Sequence, residues 1–351
     1  QLNSAEAGGW IPRPARSVLK CNYGDCKDKT TLLGGLLRCQ GIESYPLVLY
    51  AGGRAHVRPE WPSPWQFNHC IIAIPQAEGE PDTAATIHHP TFGRMLIFDP
   101  TNDDVPPGWL PEEDAGGGVL LLAGNRGELF ALPALHPADN RYSREIKARL
   151  ADNGYISGTL DETFTGHSAV GSRREYLGAS GTEYTNQIQR WLGRSLPAAH
   201  ASRVEAKDRF NDAAFDLSVD FEAYTYGKVM RDDLIIFKPV IVARRSATAL
   251  AKGARTQPVE IDAVSFSEHT IIELPANCTV DEAFPAMKIE APFGHYETSA
   301  TIQGSQLEFH RVLELETVTI PAADYEKVRS FFDKIIRAEQ TPVVLKKAPK
   351  T

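Results

Sequence analysis

In the segment Tyr23-Gly24-Asp25-Cys26-Lys27-Asp28-Lys29, a cysteine falls on the first turn of an expected helix, with Asp25 in the capping position. There the helix dipole and the unpaired backbone N–H groups favour the thiolate, the nucleophilic form. Two partners of suitable chemistry lie downstream. His69 opens an apolar strand in Phe67-Asn68-His69-Cys70-Ile71-Ile72, and Asp99 closes another in Leu96-Ile97-Phe98-Asp99-Pro100-Thr101. A thiol needs an imidazole to hold its proton, and the imidazole needs a carboxylate to fix its tautomer and stabilise its charge. Cys26, His69 and Asp99 supply all three groups in that order. The plain alternatives are an inert buried cysteine, a strand histidine with satisfied ring nitrogens and a turn carboxylate before Pro100. The joint contexts of helix start, strand and strand end favour the catalytic reading.

Neighbouring residues are read more simply. Asp25 and Asp28 suit a cap and a structural carboxylate, and Lys27 and Lys29 suit solvated first-turn lysines. Trp61, Trp65 and Phe67 lie near His69 and either wall an acyl-substrate groove or pack a Pro-rich loop. Cys21, Cys39 and Cys70 form no C-x-x-C pair and match no common zinc spacing, so no metal site is expected. Cys70 is adjacent to His69 on a strand, and its side chain should point to the opposite face. His88-His89 before Pro90 reads as a surface pair in a loop. Gly116-Gly117-Gly118 precedes a strand rather than following one, which makes it a turn and not a phosphate cradle. Asn277-Cys278-Thr279 matches a glycosylation acceptor, a pattern frequent by chance.

The elements that must position these groups are legible in the periodicity. Leu32, Leu33, Leu36 and Leu37 recur at helical spacing between Cys26 and Cys39, with Gly41 as a stop, which predicts a buried helix. Apolar runs at Tyr45 to Tyr50, His69 to Ile74 and Met95 to Phe98 predict strands of one sheet. The segments Arg58 to Phe67 and Gln76 to Thr86 are long enough to be binding loops or insertions. From about Asn140 the period becomes two. Ile146, Ala148 and Leu150 lead into an Asn153-Gly154 hairpin turn, with Ile156 and Leu160 beyond it. Phe215 to Ala223 alternates strictly, and further strands are expected at Ser265 to Leu274 and Gln306 to Thr319. Helices are expected at Glu183 to Leu192 and after Pro321, where Tyr325, Val328, Phe332, Ile335 and Ile336 form a stripe. The lysines near 346 to 350 read as a solvated tail. The first 135 residues thus read as mixed α/β and the rest as a β-sandwich with accessory helices.

Composition narrows the function classes. A chain of 351 residues should form two or three compact units. Its 42% hydrophobic and 23% charged residues exclude disorder as the main state. Thirty-seven Lys plus Arg against 45 Asp plus Glu leave a net charge of −8, which disfavours nucleic acid as partner. No apolar run approaches the roughly 18 to 20 residues of a membrane-spanning helix. Five cysteines are too few for a disulfide scaffold. The sequence opens at Gln1 with no charged and apolar leader pattern, as expected of a mature product or an excised piece.

Gly24-Asp25-Cys26 with Lys27-Asp28-Lys29 after it, Phe67-Asn68-His69 and Phe98-Asp99-Pro100-Thr101 together resemble the transglutaminase-like superfamily of papain-related thiol enzymes. The likeness is to a bacterial branch in which the core lies between two β-rich domains. Gly41-Ile42-Glu43-Ser44-Tyr45-Pro46, Pro292-Phe293-Gly294 and the closing helix from Pro321 extend it. The resemblance implies an α+β fold. A papain/transglutaminase-like core, a helix packed on an antiparallel sheet, would occupy residues 1–138, and a β-sandwich-like domain with accessory helices residues 139–351. It also implies a front β-rich domain ahead of this sequence and a periplasmic or otherwise extracytoplasmic location.

Carried onto these positions, the resemblance implies Cys26 as nucleophile, His69 as general base and then acid, and Asp99 as the orienting carboxylate. Attack on an amide or ester carbonyl would give a thioester, released by water or by an amine. The expected partners are a peptide or protein substrate and, for transfer, an amine acceptor; no cofactor is called for. The oxyanion would take the Cys26 N–H and a second donor, for which Trp10, Asn22 and Tyr23 are the local options. Trp10, Tyr23, Trp65 and Asn68 are the candidate substrate contacts. Two rival readings stay open: a catalytically silent binding or scaffold protein of this fold, and an amide-forming condensing enzyme.

Overall fold

The computed structural model describes residues 9–77, 79–231, 233–247 and 250–348. They divide into two compact units, the first ending at Leu135 and the second opening at His136. β-Strand is the commoner regular structure, with five α-helices among the described residues.

The first unit opens with two helices, Ala15–Cys21 (α1) and Cys26–Cys39 (α2). Six strands follow: Tyr45–Leu49 (β1), His69–Pro75 (β2), Thr86–His89 (β3), Gly93–Phe98 (β4), Gly118–Ala123 (β5) and Arg126–Ala131 (β6). They form one sheet in the order β3-β4-β2-β1-β5-β6, every pairing antiparallel. Period-two alternation sends Leu47, Leu49, Ile71, Ala73, Val119 and Leu121 to one buried face, where Met95 and Ile97 join them. Each buried Leu, Ile or Val there stabilises the fold by about 1.5–3 kcal/mol. Helix α2 lies on the opposite face, and Thr30 Oγ1 donates to the Cys70 carbonyl at 3.0 Å.

Several expectations for this unit are corrected. The leucine stripe of α2 is not its buried face: the buried residues are Cys26, Lys27, Asp28 and Thr30, while Leu36 is exposed. The polar first turn is the part pressed against the sheet, because its caps and ion pairs satisfy it there. Lys27 is therefore not solvated; it is 4% exposed and paired with Asp25. His88-His89 is strand, not loop. His88 faces solvent, and His89 is buried between Phe92 and Phe130, its Nδ1 accepting from the Thr91 and Phe92 backbone. The segment 58–67 is pinned by Gln66, whose side chain bonds both backbone groups of Arg58 and the Trp61 carbonyl. In the segment 76–86, Arg94 binds the Ala77 and Pro81 carbonyls and Asp82.

The second unit is organised on an eight-stranded sheet. Its elements are Asn140–Leu150 (β7), Ile156–Gly166 (β8), His167–Leu177 (α3), Gly181–Gly193 (α4), Ala199–Arg209 (β9), Ala214–Ala223 (β10), Lys228–Met230 (β11) and Leu234–Phe237 (β12). Then come Val259–Ile261 (β13), Val264–Glu273 (β14), Cys278–Glu282 (β15), Met287–Ala291 (β16), Gly294–Gln303 (β17), Gln306–Leu315 (β18), Val318–Ile320 (β19), Tyr325–Glu339 (α5) and Val343–Lys347 (β20). The large sheet runs β16-β17-β18-β14-β7-β8-β10-β9, with β14 and β7 parallel. Smaller sheets are β11-β12-β20-β15 and β13-β19.

The expected hairpin is β7–β8, with Gly154 at φ 85° and Asn153 Oδ1 accepting from the Tyr155 N–H. A Cβ at Gly154 would lie 1.9 Å from the Gly227 carbonyl oxygen, so only glycine fits. The expected sandwich is met in part: one sheet face is covered by β12 and β20 and by helices α4 and α5 rather than by a second full sheet. The lysine tail is corrected, since Lys346 and Lys347 belong to β20 paired with β12 and β15; Lys350 lies outside the described residues. The buried stripe of α5 uses Phe331 and Ala338 where Phe332 and Ile336 were expected, because Glu339 is drawn inward. Helix α3 was not expected, for its buried face holds Ala169 and Arg173, the latter paired with Asp208 at 2.8 Å.

A chain of alternating charges crosses the covered face of the large sheet. Arg144 bonds Glu162 at 2.7 Å and Glu268 at 2.8 Å, and Arg311 bonds Glu268 at 2.8 Å and Glu339 at 2.9 Å. All five are buried, so removing one partner strands the others. Arg311→Met is expected to lower stability by about 3–5 kcal/mol, read from the urea midpoint. A loss under about 1 kcal/mol would mean that the network contributes no stability.

Candidate active site

The site is built from the start of α2 outward. Asp25 is extended and accepts from the Asp28 N–H at 3.2 Å, while Asp28 Oδ2 accepts from the Asp25 N–H at 3.3 Å, a reciprocal capping box. Asp28 also accepts from the Arg13 backbone N–H at 2.7 Å and its Nε at 2.8 Å. These bonds hold its carboxyl below the usual carboxylate range against the opposing effect of burial. A Cβ on Gly24 would sit 2.7 Å from Asp28 Cβ, so the glycine allows the chain to pass this close. The first turn is thereby fixed, with Cys26 on its inner side.

The structure brings Cys26, His69 and Asp99 together. The register that sets Ile72 of β2 opposite Phe98 of β4 places the start of β2 beside the residue that follows β4. His69 Nε2 lies 3.1 Å from Asp99 Oδ2. Thr101 donates its backbone N–H and its hydroxyl to Asp99 Oδ1 at 2.8 and 2.7 Å. His69 also hydrogen-bonds Cys26, and with Nε2 turned to Asp99 the nitrogen left for the thiol is Nδ1. Burial opposes charge on all three groups, yet their mutual bonds prevail. Burial lowers the His69 imidazole, but its bonds to Asp99 and Cys26 raise it to about 10. Burial raises the Cys26 thiol, and the His69 bond and charge pull it below its ordinary value. Asp99 is likewise held low by His69 and Thr101 against burial. This is the electrostatics of a thiolate–imidazolium pair.

Sequence reasoning missed a fourth group. Asp114, in the short turn Glu112–Asp114, is 1% exposed, and neither carboxyl oxygen accepts a hydrogen bond among the described residues. Burial pushes it up to about 7, with the charge of His69 working against the rise and those of Asp99 and Glu113 adding to it. One donor atom from each of His69, Asp99 and Asp114 lies within 4.8 Å of the other two. Nothing in the run Glu112-Glu113-Asp114 distinguishes this carboxylate from its solvated neighbours except the burial that the fold imposes.

The candidate substrate contacts are distributed unevenly. Trp10 stands edge-on to Trp65 at 5.7 Å, and both are largely exposed. Tyr23 is 74% exposed, and its carbonyl accepts from Arg13. Asn68 spends its amide on the Ala51 backbone, accepting from its N–H at 2.7 Å and donating to its carbonyl at 3.2 Å. Asn22 is exposed at the left-handed cap of α1. An apolar cavity of about 600 Å³ is lined by Trp10, Lys27, Val48, Phe67, Cys70 and Leu120 among others. Cys26, His69 and Asp99 are not among the residues that line it; their sequence neighbours Lys27 and Cys70 are.

Residues 233–345 match the family described as "Domain of Unknown Function with solved-structure structure (DUF3858)", all within the second unit. Among curated proteins no match is found. The chain is similar to a crystal structure described as a "putative protease from Parabacteroides distasonis", at 13% identity and a TM-score of 0.50. The similarity covers 97% of this chain and 47% of that one, so the chain spans about half the length of the protein it resembles. At that identity the likeness is one of fold.

The seating of the α2 start is testable. Asp28→Ala removes one half of the capping box and the Arg13 partner, and should cost about 1–2 kcal/mol in chemical denaturation. It should also slow alkylation of Cys26, with Asp28→Asn intermediate because it keeps the acceptor and loses the charge. Unchanged alkylation in Asp28→Ala would show that the cap does not position the thiol.

Proposed function

We propose that the chain is a cysteine-dependent, transglutaminase-like enzyme that acts on the amide bonds of peptide-type substrates through a thioester. The observation that carries this reading is the continuous line Cys26, His69, Asp99, running from a helix start to a strand start to a strand end. A thiol-bearing helix against an antiparallel sheet supports a papain/transglutaminase-like core over residues 1–138, with the β-rich remainder as a second domain. The fold likeness to a protein described as a protease favours hydrolysis as the release step. An extracytoplasmic location goes with this reading and rests on the sequence resemblance alone.

The chemistry follows from the proton positions. The Cys26 thiolate attacks the carbonyl carbon, forming a C–S bond, and the Cys26 backbone N–H would receive the developing oxyanion. His69 gives its Nδ1 proton to the leaving amine as the C–N bond breaks. Water then attacks the thioester, His69 takes its proton, and the C–S bond breaks to restore the thiolate. Asp99 holds Nε2–H throughout, so the ring stays in the tautomer that faces the sulfur. Trp10 lines the apolar cavity and packs edge-on against Trp65, and the pair would flank an extended substrate. An amine in place of water gives acyl transfer from the same intermediate.

Intact-mass labelling with iodoacetamide across pH 5 to 9 tests the nucleophile. Labelling well below the free-thiol value of about 8.5 should fall on Cys26, weaken in His69→Ala and vanish in Cys26→Ala, while the exposed Cys21 and Cys39 should label only as ordinary thiols toward pH 9. Labelling that tracks an ordinary thiol titration would refute an activated pair.

Turnover of peptide amides should fall by about 100-fold or more in His69→Ala. It should also decline on the alkaline side as pH rises through about 10, where His69 loses the proton it must donate. Turnover retained in Cys26→Ala would sink the assignment. A labelled amine supplied with the substrate separates transfer from hydrolysis by the mass of the product.

A further inference from the structure

Asp114 has no part in the mechanism above, yet it is buried against it. Both of its oxygens are shielded and unbonded, and a second carboxylate, Asp99, stands within ligand distance. A buried carboxyl without a donor must hold a proton or meet a cation. His69, Asp99 and Asp114 converge one nitrogen and two oxygens on one point, each donor within 4.8 Å of the others.

We propose that His69, Asp99 and Asp114 form a site for a zinc-class divalent cation. Its inhibitory consequence rests on the thiol-enzyme reading. Zinc takes four ligands from nitrogen and oxygen at about 2.0–2.2 Å, which sets neighbouring donors about 3.3 Å apart. The 3.1 Å between His69 Nε2 and Asp99 Oδ2 already matches that edge. The ion replaces the proton now shared by those two atoms, which leaves to solvent, and its two charges meet the two carboxylates. Thr101 holds the other Asp99 oxygen and so orients the ligand from behind. The fourth ligand is water. Calcium and magnesium are poorer fits, since they take six or more oxygens and no imidazole. With Nε2 on the metal, Nδ1–H becomes a weak acid that cannot serve the leaving amine, so the metal-bound site would not turn over.

A second cluster must be kept apart from this one. On the uncovered face of the large sheet, His269 and His310 both bond Glu308 Oε1, at 2.8 and 3.1 Å, with rings stacked at 4.4 Å. Its carboxylate is satisfied and its members are partly or fully exposed, so it lacks the unpartnered buried ligand of the first site.

The test is calorimetric titration of zinc chloride into the full chain carrying Cys26→Ala, His269→Ala and His310→Ala, with folding checked by circular dichroism. One equivalent should bind, and Asp114→Asn or His69→Ala should each weaken it at least about tenfold, since even supporting partners of metal ligands cost that much. Cobalt bound to the chain with Cys26 intact should show no sulfur charge-transfer band. No stoichiometric binding, or affinity unchanged by Asp114→Asn, would overturn the proposal. Should Asp114→Asn fail to fold, unchanged affinity in His69→Ala would overturn it equally. Because Cys26 is absent from the titration, failure here leaves the labelling test of the nucleophile untouched, and the reverse also holds.

Discussion

Setting the buried Cys26 and Asp99 beside the half-buried His69 at the end of one sheet strips much of the water from three ionisable groups, and the hydrogen bond between His69 and Asp99 is what offsets that cost. Without it the imidazole would be a desolvated base with a depressed affinity for protons, and the thiol beside it would stay neutral. With it the imidazole holds its proton strongly and the thiol is drawn down. The rest of the first unit serves this bond. The β2–β4 register brings the two residues level, Thr101 keeps Asp99 from rotating, and the capped start of α2 carries the sulfur to the remaining ring nitrogen.

The second unit meets the same constraint in another way. Arg144, Glu162, Glu268, Arg311 and Glu339 lie on the covered face of the large sheet, between one apolar cluster around Phe215 and Phe237 and another around Tyr296 and Phe331. Charges of alternating sign neutralise one another, and the guanidinium groups of Arg144 and Arg311 both lie against the Phe266 ring. Here each carboxylate is paired. Asp114 in the first unit is the exception, buried as deeply as these and bonded to nothing described, and that contrast is what marks it as unusual. A network of this kind fixes strand register and helix position; it offers no cleft and no activated group.

Much of this is legible in the sequence. Helix α2, the strand that opens on His69 and the strand that ends just before Asp99 follow from punctuation and period, because each is bounded by Gly, Pro or Asp. The hairpin at Asn153-Gly154 was readable because the turn demands those residues. What escaped was set by tertiary context. The leucines of α2 suggested a buried stripe, but the polar first turn took the interior because its own caps satisfied it. Helix α3 has almost no apolar stripe, and a buried Arg173 with its Asp208 partner stands in for one. Glu339 pulled the buried face of α5 off the expected phase. Asp114 was invisible because a run of three acids ordinarily means solvent, and only the turn beside the site made one of them interior.

Cys26 and Cys70 show how little separates a thiol drawn down from one pushed up. Both are buried, and each stands within one residue of an element that carries the site. Burial pushes the Cys70 thiol up to about 12, and the hydroxyl of Thr30 only partly opposes it. The same burial acts on Cys26, yet its thiol ends below the ordinary value because His69 faces it. Strand alternation decides the difference: Cys70 is adjacent to His69 in sequence and so projects from the other side of β2. Shifting β2 by one residue would exchange its two faces and take the imidazole out of line with Asp99. The lowered pKa of the Cys26 thiol is therefore a property of strand register as much as of the residues around it.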